Sequence, residues 1–201
     1  MTGFTPSQAA VLTGLPLSAV RKALDHATVP SRLMRLGRTV QRMVPREGLL
    51  CLKLEQLGVG QLPLANRRRI YRSVLAQPAA EEWRVSDAVV IRAEAAHAAL
   101  DAEIEKLRRA EEGVMCDPKI MGGAPVVIGT RIPVHLIAEM RRQGAPLEEI
   151  LEGYRGLTAE GVASAVLYAQ AHPRRGARLG SRLPKSARLV QERRVPVADV
   201  R

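Results

Sequence analysis

The sequence predicts a mainly α-helical chain with short β elements, arranged as two lobes followed by a basic tail expected to be disordered. Three observations predict it. Aromatic residues are scarce, with one Trp, one Phe and three Tyr in 201 residues, so the apolar content rests on Ala, Val and Leu. Small aliphatic side chains suit packed helices better than a sandwich or barrel. Apolar residues recur at helical spacing in most segments. Charge is also uneven: of the net +11, residues 1–78 carry +9, 79–113 carry −4, 114–172 carry −1 and 173–201 carry +7. These steps mark four regions: 1–78, 79–113, 114–172 and 173–201.

Basic charge at both ends implies polyanionic partners, and two separated basic regions can serve two different ones. No apolar run approaches the roughly 18 residues needed to cross a bilayer. The first residues lack the basic start and apolar block of a signal peptide, so a cytoplasmic protein with no membrane partner is expected. Cys51 and Cys116 lie far apart without metal or redox spacing, and free thiols are expected.

Residues 5–26 read as two short helices. Thr5 or Ser7 can cap the first, Gly14 ends it, and Pro16 precedes a second whose apolar face is Leu17, Val20, Ala23 and Leu24. Ser18, Arg21 and Lys22 fall on the other face. Small polar and basic residues early in a second helix are what a major-groove reader needs, because side chains there reach base edges while cations neutralise phosphates. An ordinary helical hairpin explains the same pattern. Leu36–Val40 and Met43–Pro45 suggest a hairpin or wing carrying Arg35, Arg38, Arg42 and Arg46, which would lie against phosphates; a solvated loop is the alternative. Leu49–Leu57 is core. Residues 63–76 read as a helix that buries Leu64, Ile70, Val74 and Leu75 and turns Arg67, Arg68, Arg69 and Arg72 outward. Val85–Ile91 reads as a strand. Residues 94–112 form an alanine-rich connector helix in which Glu105 and Arg109 stand four apart, as an ion pair requires.

The densest motif runs from Cys116 to His135. Pro118 and Gly122-Gly123 make one turn, Val126–Ile128 an extended run, Gly129 a break, and a helix starts at Pro133. Arg131 is its lone basic side chain after Lys119, expected to brace the loop or a dimer mate. Val134–Arg142 is amphipathic, with Leu136, Ile137 and Met140 inward, and Gly144 ends it. Pro146 opens a second helix with two acids in its first turn, and Thr158 caps a third. That third helix has no Lys or Arg between Thr158 and His172, so this lobe suits dimerisation or protein docking better than phosphate contact. The tail carries Arg174, Arg175, Arg178, Arg182, Lys185, Arg188, Arg193, Arg194 and Arg201 among Gly, Pro, Leu and Val.

The phrase Ser-Gln-Ala-Ala-x-Leu-Thr-Gly-Leu resembles the opening of MerR-type winged helices, over about twenty residues. This adds a winged-helix-like DNA-binding lobe to the fold expectation. Asp117–Val134, with Pro146–Tyr154 and Leu157–Ala169 in order behind it, closely resembles the family catalogued as domain of unknown function 433. Members of that family are similar to VapB-type antitoxins encoded beside toxins with a PIN-type ribonuclease fold. The three helices between Val134 and His172 make a compact, helix-turn-helix-like C-terminal bundle; the resemblance implies a non-enzymatic protein, expected as a homodimer without cofactor. It would silence a PIN-type ribonuclease toxin and bind its own operator DNA. A PIN-type site is a carboxylate cluster, and the tail's Arg174, Arg175, Arg178, Arg182, Arg188, Arg193 and Arg194 are complementary to it, since guanidinium pairs bidentately with carboxylate. A nonspecific nucleic-acid-binding tail is the alternative. For the whole chain, the alternative is a stand-alone dimeric transcription regulator.

No catalytic or metal site is evident. His26, His97, His135 and His172 are scattered, and the glycines lack the phosphate-loop pattern.

Overall fold

The structure is a computed structural model that describes residues 3–36, 39–86, 89–174 and 188–193. It is mainly helical, with small antiparallel strand pairs, and divides into two compact units. One comprises residues up to Glu103 together with the C-terminal strand; the other runs from Ile104 to Ser181.

The first unit opens with helix α1 (Pro6–Thr13) and helix α2 (Leu17–Asp25). Thr5 and Gln8 cap α1 reciprocally: Thr5 Oγ1 accepts from the Gln8 N–H at 3.2 Å and Gln8 Oε1 accepts from the Thr5 N–H at 2.9 Å. Ser7, the other candidate cap, lies buried inside the helix. Gly14, at φ +73°, turns the chain out of α1. Strands β1 (Ser31–Leu36) and β2 (Thr39–Met43) form an antiparallel hairpin whose register runs from Arg32↔Met43 to Leu36↔Thr39. Phe4 and Val44 exchange backbone hydrogen bonds of 2.8 and 2.7 Å, tying the start of the chain to the end of the hairpin.

Helix α3 (Arg46–Gln56) follows, and buries Leu49, Leu50, Cys51, Leu52 and Leu54. A 3-10 turn (Val59–Gln61) leads to helix α4 (Leu64–Ala76), which buries Ile70, Tyr71 and Val74. Two expectations for α4 are corrected. Leu64 is 51% exposed, because it lies at the very first turn and nothing packs over it. Arg67 does not point freely outward. It is half-buried and ion-paired with Glu55 of α3, whose side chain is 13% exposed.

The expected strand at 85–91 is two strands, β3 (Glu82–Ser86) and β4 (Val89–Arg92), paired antiparallel with Trp83↔Ile91 and Ser86↔Val89. The chain reverses between Ser86 and Val89, so the two halves of the apolar run pair with each other, and β3 packs on α4. Trp83 is 1% exposed and its Nε1 donates to the Gln77 carbonyl at 2.9 Å. Helix α5 (Glu94–Glu112) begins in this unit and ends in the next.

Residues 188–193 of the basic tail, expected to be disordered, form a strand. Strand β7 (Arg188–Arg193) pairs antiparallel with β1 in a sheet of order β2-β1-β7. The edge of β1 supplies the backbone partners that a basic, Pro- and Gly-flanked segment cannot find alone.

In the second unit, Glu105 receives both Arg108 (2.7 Å) and Arg109 (2.9 Å) along α5, so the expected pair is one arm of a three-residue cluster. Strands β5 (Val114–Met115) and β6 (Val126–Val127) pair antiparallel. Helices α6 (Val134–Arg142), α7 (Leu147–Gly153) and α8 (Ala159–Ala171) close around Val127, Val134, Ile137, Ile150, Leu157, Val162, Ala165 and Tyr168. Leu136, expected inward, is 41% exposed: the buried stripe of α6 passes through Val134 and Ile137, and position 136 lies off it. The helix ends as expected. The Ala145 N–H reaches the Met140 carbonyl (3.0 Å) and the Gly144 N–H the Arg141 carbonyl (3.1 Å), with Gly144 at φ +92°. Thr158 caps α8 by accepting from the Gly161 N–H at 3.0 Å. Among the described residues, no helix is long and apolar enough to cross a membrane.

Candidate nucleic-acid interface

Helix α2 is short, and its burial is one-sided. Val20 and Leu24 face the core at 0% and 1% exposure, four residues apart, which turns Ser18, Arg21 and Lys22 out to solvent. No acidic partner is paired with Arg21 or Lys22 among the described residues. Two more of the candidate cations, Arg35 and Arg42, belong to the hairpin strands. Arg35 is exposed; Arg38 lies outside the described residues. Arg42 is half-buried and donates to Asp25 Oδ1, at the last turn of α2, across 2.7 Å. Arg32 reaches Glu47 Oε1 at 3.3 Å. The hairpin arginines therefore divide: Arg32 and Arg42 fasten the strands to α3 and α2, and Arg35 keeps an open charge.

The C-terminal strand alters this surface. Its register sets Arg188 opposite Arg35, Glu192 opposite Arg32 and Arg193 opposite Ser31. The two tail residues expected to meet a toxin are thus built into the same sheet as the hairpin. Arg174 is exposed just beyond α8. Arg175, Arg178, Arg182 and Arg194 lie outside the described residues.

The glycine-rich motif is a folded loop. Met121, Gly122 and Gly123 all hold positive φ (+48°, +65° and +84°), a left-handed run that only glycine adopts without strain and that explains the Gly-Gly pair. Lys119 N–H donates to Asp117 Oδ1 at 2.8 Å, setting the turn before it. Gly129 (φ +75°) reverses the chain after β6, so that the Val127 N–H meets the Ile132 carbonyl at 3.0 Å and the Val134 N–H meets the Pro125 carbonyl at 3.0 Å. Thr130 Oγ1 donates to the Val127 carbonyl (2.8 Å) and accepts from the Ile132 N–H (3.1 Å). Thr130 braces the loop in the way expected of Arg131. Arg131 is exposed and joins no ion pair among the described residues. Pro133 sits at the N-cap of α6, where its missing N–H costs nothing.

Two of the histidines pack against aromatic rings. His172 Nε2 lies 2.8 Å from Glu111 Oε1, with its ring 4.5 Å from that of Tyr168. The His97 ring packs at 5.6 Å from the Trp83 ring. Burial, with Arg174 and His172 adding to it, lowers the pKa of His135. Among the described residues, no three His, Cys, Asp or Glu gather to hold a metal ion.

Against known proteins, residues 114–169 match the model described as "Protein of unknown function (DUF433)". An uncharacterized protein, y4eO of Sinorhizobium fredii, is 30% identical over 208 residues, covering 94% of this chain and 90% of its own length. Two solved structures are similar in part. A DUF433 member from Anabaena variabilis is 36% identical over 37% of this chain and 73% of its own, with TM-score 0.28. Rv2018 from Mycobacterium tuberculosis is 14% identical over 83% of this chain and 97% of its own, with TM-score 0.31. With a 30%-identical relative matched over 90% of its length, this chain belongs to one family with y4eO, and its residues 114–169 match the DUF433 model.

Proposed function

We propose that the protein is the antitoxin of a type II toxin–antitoxin pair, a dimeric regulator that binds operator DNA and neutralises a PIN-type ribonuclease toxin. The observation that carries the DNA-binding part is the exposed set Ser18, Arg21 and Lys22 on α2, beside Arg35 of a hairpin that an Arg42–Asp25 ion pair fastens to the same helix. A helix presenting Ser18 in its first turn and exposed cations at its middle and last turn, flanked by a basic hairpin, suits a groove contact with phosphates on each side. The lobe at 114–172 supplies dimerisation or docking. Its helix α8 lacks cations, and Met121, Ile128 and Leu136 leave apolar surface on it. The toxin reading draws on the family resemblance and on the arginines of the C-terminal segment.

A second reading, a stand-alone regulator, is favoured by one observation: β7 binds its own chain, so part of the basic tail is already engaged. One experiment separates the two. The full chain is co-expressed with the product of the adjacent gene and tested on DNA from upstream of its own gene. Co-elution with loss of RNA cleavage supports the antitoxin. DNA binding with the neighbour absent from the complex supports the stand-alone regulator. Absence of DNA binding at low salt overturns both.

A further inference from the structure

The order of elements in the first unit repeats. Residues 6–43 run helix, helix, hairpin (α1, α2, β1–β2), and residues 46–92 run helix, helix, hairpin again (α3, α4, β3–β4). Positions 26–30 join α2 to its hairpin and positions 77–81 join α4 to its own, so the two connections have equal length. Both hairpins close on equally tight reversals, Leu36↔Thr39 in one and Ser86↔Val89 in the other. Within each module the two helices pack together, and α1 packs on α3.

The second helices also match in sequence. Each opens on Leu-Pro-Leu, Leu15-Pro16-Leu17 and Leu62-Pro63-Leu64, with the proline as N-cap at nearly the same backbone angles (φ −57°, ψ 140° and φ −52°, ψ 146°). Counted from these prolines, Arg21-Lys22 and Arg68-Arg69 occupy the same places, and all four side chains are exposed. The inward places match too. Val20 and Leu24 correspond to Arg67 and Tyr71; Tyr71 is buried, and Arg67, a cation at a core position, is neutralised by Glu55. Arg67 is therefore committed to the fold, while Arg68 and Arg69, with no acid paired to them among the described residues, are not. Arg72 is half-exposed one turn on, and Arg84 is exposed on the hairpin that α4 holds through the Ser73 Oγ to Arg84 carbonyl hydrogen bond of 3.1 Å.

We infer that α4 and its hairpin form a second duplex-DNA contact, in which Arg68 and Arg69 meet backbone phosphates with Arg72 and Arg84 beside them, so that each chain engages duplex DNA twice. The inference rests on the DNA-binding reading of α2 and extends it to a surface with the same cation placement and a net charge of +4 over residues 51–78.

The test is fluorescence anisotropy of the full chain on a 30-base-pair random-sequence duplex across a salt series, comparing wild type, R21A/K22A, R68A/R69A and R68K/R69K, with each fold checked by circular dichroism. Two lost phosphate contacts should make the slope of log K against log salt shallower by about 1.8 and weaken binding roughly tenfold near 0.1 M salt. R68A/R69A should show this shift and R68K/R69K should not. A normal R68A/R69A slope beside a reduced R21A/K22A slope overturns the second contact and leaves the first standing. No duplex binding by the wild type removes the DNA reading altogether. Equal competition by poly-glutamate, lost in the same variant, makes the patch a general polyanion surface and also overturns the inference.

Discussion

Arg42 in β2 and Asp25 at the end of α2 meet across 2.7 Å, so the hairpin is fastened to the helix whose cations it flanks. Asp25 is the more exposed partner, and it stands one turn beyond Arg21-Lys22. Replacing it has two effects of the same sign on a polyanion: a repulsive charge leaves and Arg42 is released. Asp25→Ala should tighten nonspecific duplex binding and steepen its salt slope by about one ion, with stability changed by less than about 1 kcal/mol. Anisotropy over a salt series measures both, and weaker binding by the variant would sink the idea.

Arg67 and Glu55 make the costlier pair. Burial works against the Arg67 charge, and Glu55 with Tyr71 nearby more than offsets it, holding the guanidinium pKa above its ordinary value. Glu55→Ala should destabilise the first unit by about 2 kcal/mol, because it strands a half-buried cation. Glu55→Leu combined with Arg67→Leu should recover most of that loss, as the corresponding Val20 of the first module suggests. Urea unfolding of the two variants checks it; a double variant no better than the single would show that the pair acts through something besides charge.

His135 gives the second unit a pH dependence with a definite sign. Its folded pKa lies below the ordinary histidine value of about 6.5, through burial first and then Arg174 and His172. As pH falls through about 6.5 the unfolded chain takes up the proton before the folded one, so stability drops on the acid side and is full above it. Thermal unfolding at pH 7.5 and 5.5 should show a fall that His135→Gln reduces.

Two glycines should respond oppositely to alanine. Gly123 has φ +84° and room for a Cβ, so Gly123→Ala costs backbone strain alone, about 1 kcal/mol. Gly153 lies in α7 with open space around it, and Gly153→Ala should be neutral or stabilise by up to about 1 kcal/mol. Equal effects at the two sites in chemical denaturation would contradict the left-handed turn.

Thiol reactivity divides the two cysteines. Cys116 is exposed and Cys51 is fully buried, where burial first and then the carboxylates of Glu47 and Glu55 push its thiol up. A thiol-disulfide reagent should titrate one group in native protein and two in denaturant. Two fast-reacting thiols in the native state would refute the packing of α3.

Helices were legible in the sequence where one face is apolar and the caps are local. Gly144 and Thr158 act within four residues of themselves, so their roles can be read without a tertiary structure. Features that depend on a distant partner were not legible. Arg67 looks like an outward cation until Glu55, twelve residues away, is known to face it. The 82–92 hairpin lacks a Gly in its reversal, and its β-branched residues read as one strand. The strand at 188–193 has three charged residues in six, which hides it as a strand, and its partner is the distant edge of β1. The paired Leu-Pro-Leu openings were visible, but four extra residues in α4 and a longer α3–α4 link hide the repeat from a fixed period.

The pairing of β7 with β1 also has a history within each molecule's synthesis. Arg188 is added about 150 residues after Arg35, which at roughly 5–20 residues per second is a delay of roughly 8–30 s. Through that interval the nascent hairpin has one unpaired ladder facing water, open to any extended segment nearby. Completion of the sheet therefore waits for residues 188–193 to be made and to emerge, and termination before them would release a chain whose β1 edge stays unsealed.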